Sequence, residues 1–198
     1  MYRGKQNRIF PIIIVILIVA IVIAALVSIG RALFGGSSEP QAVDQSQAAL
    51  LDVTGGTHVV MSVRGPIVAH ENFRSYQVDI SPTSRNLTTY SGYAGQRLDR
   101  QQLSNNTTAY EEFVYALNRA KFAEGRQLEG EDNDTRGICP TGRLYEFAIM
   151  RGDSAVKQLW TTSCGGSRGS FRTNLDQTRT LFLRQLPDSN RLVDRIDL

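Results

Sequence analysis

The longest uncharged run in the chain limits what the rest can be. Ile9 to Ile29 (IFPIIIVILIVAIVIAALVSI) holds 21 residues without a charge. At 1.5 Å per residue a helix of that length reaches about 30 Å, the thickness of a bilayer's hydrocarbon core. Pro11 falls in the first turn, where its missing N–H breaks no helical bond. The run exceeds the roughly 7–15-residue apolar core of a cleaved secretory signal. Arg3, Lys5 and Arg8 precede it, Arg31 follows, and the first acids downstream are Glu39 and Asp44. That bias predicts a cytoplasmic N-terminus. The sequence therefore predicts a cytoplasmic tail over 1–8, a transmembrane helix over 9–30, a stalk over 31–56 and an extracytoplasmic domain over 57–198. The predicted location is the cell membrane, crossed once.

Setting the anchor aside changes the electrostatics. The chain carries 22 Lys and Arg against 19 Asp and Glu, but Arg3, Lys5, Arg8 and Arg31 flank the apolar run. The remainder is nearly neutral, so charge gives no support for nucleic acid as a partner. Cys139 and Cys164 are the two cysteines. Outside the cytoplasm they are expected to pair. No C-x-x-C is present, so thioredoxin-like chemistry has no carrier.

Beyond the stalk the hydrophobic period changes from segment to segment. Val59, Met61 and Val63 alternate with His58, Ser62 and Arg64, which marks a half-buried strand. Tyr76, Val78 and Ile80 repeat the pattern over 73–80. Residues 87–93, rich in Thr and Tyr, read as a third strand after the turn Ser81-Pro82-Thr83-Ser84. A helix is predicted from Thr108, capped by Thr108 and Glu111, with Tyr110, Phe113, Val114, Leu117 and Ala120 on its buried stripe and Gly125 at its end. Residues 125–138 read as a polar loop. Arg143–Met150 and Ala155–Ser163 read as a hairpin. Setting Cys139 across from Cys164 puts Phe147 opposite Val156, Glu146 opposite Lys157, and Trp160 on the face of Tyr145 and Phe147. Asn174 and Gln177 cap a second helix striped by Leu175, Thr178, Leu181, Phe182 and Leu186. Short helical turns are expected over 45–51, and Val193 and Ile196 are expected to dock the last residues. The predicted fold class is α+β: an N-terminal transmembrane helix, then a small antiparallel sheet of five strands with two packed helices.

Residues that carry chemistry are few. His58 and His70 are the only imidazoles, too few for a three-histidine zinc site, and no H-E-x-x-H occurs. The acids Glu129, Glu131, Asp132 and Asp134 lack the spacing of a calcium loop. No catalytic, cofactor-binding or metal residue, and no cofactor, is assigned. Sequons at Asn86, Asn105, Asn106 and Asn133 are expected on exposed turns. Tyr and Arg are favoured at protein interfaces, which makes Tyr90, Tyr93 and Arg64 the candidate contact residues. The function expected is a membrane-anchored, non-catalytic binding or structural component of the cell envelope, with the lipid bilayer and a protein or envelope partner as its contacts. Two alternatives are a subunit of a membrane complex or surface filament assembled through the apolar helix, and an extracytoplasmic hydrolase.

Overall fold

The computed structural model describes residues 45–54, 56–166 and 169–198. A single antiparallel sheet organises them. β1 (Thr57–Arg64), β2 (Arg74–Ile80), β3 (Ser84–Ser91) and β4 (Gln96–Ser104) form a meander. The hairpin of β5 (Leu144–Arg151) and β6 (Ser154–Thr162) pairs with the other side of β1, giving the order β4-β3-β2-β1-β5-β6. Alternation explains the face that is buried: Val59, Met61 and Val63 of β1 share it with Tyr76, Val78 and Ile80, with Leu87, and with Phe147 and Ile149. Four α-helices among the described residues contribute to the same cluster: α1 (Gln45–Leu51), α2 (Thr107–Arg119), α3 (Leu175–Leu183) and α4 (Ser189–Asp194). Phenylalanines fill its centre. Phe147 stacks on Phe171 at 4.4 Å, and Phe122 meets Phe147 edge-on at 5.8 Å.

The fold class is corrected on its first element. The segment 9–30 lies outside the described residues, and no described helix is long and apolar enough to cross a membrane. The longest, α2, has 13 residues; at 1.5 Å each it reaches about 20 Å, short of the roughly 30 Å of hydrocarbon. The architecture that stands is α+β, a six-stranded antiparallel sheet with several helices. The single-pass topology with a cytoplasmic N-terminus, the membrane location and the bilayer as partner have no support in it. The functions built on them fall with them: the anchored envelope component, the assembly through an apolar helix and the extracytoplasmic hydrolase.

Other corrections have local causes. The sheet has six strands because β4, absent from the sequence-based expectation, pairs along all of β3. The helical turns expected over 45–51 are α1, with Ala49 and Leu50 buried in the core. The cap of α2 is Asn106, whose side chain accepts the Ala109 N–H, rather than Thr108. That helix ends at Ala120, followed by Lys121 in the left-handed region at φ 63°. Gly125 serves a different need: a Cβ there would lie 2.3 Å from the Ser170 carbonyl oxygen. Asn174 caps α3 as expected, accepting the Gln177 N–H.

The hairpin register also differs. Glu146 stands opposite Trp160 and Phe147 opposite Leu159. Cys139 and Cys164 do form a disulfide, but both lie beyond the ladder, which opens at Leu144 and Thr162. The expected register was off by three residues. An odd slip moves every side chain of one strand to the opposite face, and Trp160 consequently leaves the helix-covered side.

Candidate functional site: an open half-face of the sheet

Trp160 introduces the second face of the sheet. Pairing aligns Trp160, Glu146, Ser62, Gln77, Thr88 and Arg100 in one row across all six strands, on the side away from the helices. Trp160, Leu144 and Cys139 are buried, yet none belongs to the main core cluster. The connection from α2 to β5, which carries Cys139, forms a roof on this face of the sheet. Arg64 Nη2 donates to Thr135 Oγ1 at 2.6 Å and to Glu146 Oε1 at 3.2 Å, and Thr135 Oγ1 itself donates to Glu146 Oε1 at 3.2 Å. Ile67 N–H donates to the Pro140 carbonyl at 2.8 Å, and the disulfide ties the roof to the end of β6. Gly142 sits where a Cβ would come within 2.7 Å of Cys139 Sγ.

The same surroundings close the β6 edge. Gln158 N–H donates to Gln127 Oε1 at 2.7 Å, Trp160 N–H to Ser170 Oγ at 2.9 Å, and Phe171 N–H to the Trp160 carbonyl at 2.9 Å. Buried backbone groups need such partners. The opposite edge, β4, is exposed along most of its length. The sheet is therefore asymmetric: one half is roofed and its edge satisfied, and the other half is open.

The open half holds a hollow of about 320 Å³ lined by Gln77, Asp79, Asn86, Thr88, Tyr90, Arg97 and Arg100. A bulge makes it basic. Thr89 pairs with Asp99 but Tyr90 pairs with Arg97, so Leu98 is an extra residue in β4. Bulges re-aim side chains. Without this one, residues three apart such as Arg97 and Arg100 would point to opposite faces. With it, both line the hollow, and Asp99 turns to the helix side, where its carboxylate meets Arg195 at 3.5 Å. Arg100 Nη2 donates to Asn86 Oδ1 at 3.3 Å, and neither Arg97 nor Arg100 has an ion-pair partner within 4 Å among the described residues. The one acid in the hollow is Asp79. Burial raises its pKa above the usual carboxylate range, opposed by the charges of His58 and Arg100.

The sequence-based candidates divide between the two halves. Tyr90 lines the hollow. Tyr93 stands just beyond β3, 52% exposed, stacked on Phe73 at 4.1 Å, with its hydroxyl donating to the Val68 carbonyl and accepting the Val68 N–H. Arg64 shares a ladder row with Tyr90 but is held beneath the roof by Thr135 and Glu146. The histidines are not brought together: His58 opens β1, and His70 follows its far end, accepting the Tyr93 N–H. The disulfide engages both thiols. Among the described residues no three His, Cys, Asp or Glu are grouped to hold a metal ion. Of the sequons, Asn86 lies within β3 instead of a turn, whereas Asn105 and Asn106 lie in the turn between β4 and α2, Asn105 Nδ2 donating to the Ser81 carbonyl and Asn106 capping α2.

Arg97 and Arg100 escaped the sequence reading because their strand did. The available signal was the interval between the glycine turn Gly92–Gly95 and the Asn106 cap, long enough for one strand. No protein-family model matches the chain, and comparison with curated proteins finds no match. Its geometry alone bears on function.

Proposed function

We propose that this domain recognises a protein partner across the open half of its sheet, with Tyr90, Arg97 and Arg100 at the contact and Tyr93 at its rim. The observation that carries the reading is the bulge at Leu98, which gathers two guanidinium groups without ion-pair partners beside a tyrosine. Arginine and tyrosine dominate the energetics of protein contacts because they combine large area with polar ends. Tyr93 and Leu98, each about half exposed, add apolar area at the same end of β3 and β4. Arg64 is outside the contact and serves the roof.

The test places a photo-crosslinking amino acid at Ala94, exposed in the turn beside Tyr93, in the full chain expressed in its own cells. Tyr115, 45% exposed on α2, is the control position. One defined protein adduct is expected from position 94 and none from 115. Arg97→Glu with Arg100→Glu should reduce the adduct by about tenfold or more, since charge reversal at a contact costs several kcal/mol. No adduct at 94, or one indifferent to the reversal, would refute the proposal.

A further inference from the structure

We infer that the partner segment is an extended acidic strand that pairs with the free edge of β4 and carries acids two residues apart. This rests on the protein-contact reading above and adds the chemistry and geometry of the occupant. Two independent observations support it.

The first is the edge itself. An edge strand presents a row of backbone donors and acceptors to any chain that can pair with it. In this sheet the β6 edge is occupied by Gln127, Ser170 and Phe171, whereas β4 has no covering segment among the described residues and turns alternate backbone groups outward, of which Arg100 N–H meets Asp99 Oδ1 at 2.7 Å and the Ser104 carbonyl meets the Arg85 guanidinium. Strand addition takes its affinity from that row and its selectivity from alternate side chains.

The second is charge placement. On the open face β4 presents Arg97 and Arg100, opposite Tyr90 and Thr88. Those partners lie two residues apart on β3, so the two arginines stand one ladder repeat apart, about 6.6 Å along the strand. A paired strand puts residues i and i+2 on the same face with the same spacing, so an acid-x-acid sequence meets both guanidiniums. Like charges directly across a ladder are unfavourable, which makes the edge selective against basic strands. On the helix side, Asp99 is already engaged with Arg195.

The experiment compares two peptides of identical composition, each as long as β4 and built from Thr, Val and two Glu with blocked ends. One has its glutamates at i and i+2, the other at i and i+1. Binding to the purified full chain is read by fluorescence anisotropy at low ionic strength. The i,i+2 peptide is expected to bind about tenfold tighter than its isomer, as one lost charge contact predicts. Raised salt and Arg97→Glu with Arg100→Glu should each abolish the difference. Equal binding of the isomers would mean simple charge attraction and overturn strand addition, leaving the protein-contact reading intact. Failure of both peptides while the adduct at position 94 still forms would overturn the acidic strand alone. Failure of both measurements would end both readings. Sedimentation showing a dimer paired through β4 would make the occupant a second copy, and arginine-dependent binding of oligothymidine would make it a nucleic acid; either overturns the inference.

Discussion

Phe147→Ala is expected to lower the unfolding free energy by about 3–5 kcal/mol, near the upper end for a single core truncation. Phe147 is 1% exposed, in the middle of β5, between β1 and β6. Its ring meets Phe171 from the segment after β6, Phe122 from the segment after α2, and Phe182 of α3. Three parts of the chain therefore lose contacts with one side chain, and rings packed against one another have little freedom to collapse into the cavity. Chemical denaturation of the variant beside Leu98→Ala gives the comparison. The exposed Leu98 should change stability by less than about 0.5 kcal/mol. A Phe147→Ala cost below about 1 kcal/mol would contradict this packing.

The second large effect concerns the disulfide. Cys139 and Cys164 close a separation of 25 residues, worth about 3–4 kcal/mol in the chain-entropy account. Replacing both with serine should cost about that much. The loss should be local in character, since the roof is otherwise held by Thr135 on Arg64 and Glu146 and by the Pro140 carbonyl on Ile67. Trp160, the chain's only tryptophan, is buried on the same face of the sheet, opposite Glu146. The variant should unfold at lower denaturant, and its tryptophan emission should shift to longer wavelength before the global transition. The hollow at Arg97 and Arg100 lies on the other half of the sheet and should keep its ligand preference. Coincident fluorescence and global transitions would show that the roof is not a separable unit.

These two cases show how unevenly the fold was legible. Strict alternation revealed β1 and β2, and the aromatic positions of β5, because each buries one face. β4 has two leucines among polar residues and one neighbouring strand; it buries little, so hydrophobic period carries no signal. The disulfide was legible from two cysteines, but using it to set the ladder misplaced Trp160, since the turn at Cys139–Gly142 adds residues outside the pairing. Of the site, Tyr90 could be found from composition. Arg97 and Arg100 could not, because their common face depends on one inserted residue, and a bulge leaves no mark in this sequence that separates it from ordinary strand. The apolar run at 9–30, the most conspicuous feature of the sequence, lies outside the described residues.

Everything proposed for this domain depends on the sheet having one satisfied edge and one free edge. Residue-resolved amide hydrogen exchange on the full chain measures that directly. Gln158 and Trp160, although on an edge strand, should be protected through Gln127 and Ser170, while the outward amides of β4 other than Arg100, whose N–H meets Asp99 Oδ1, should exchange at nearly unprotected rates. Equal protection along both edges, or fast exchange at Gln158 and Trp160, would contradict the account.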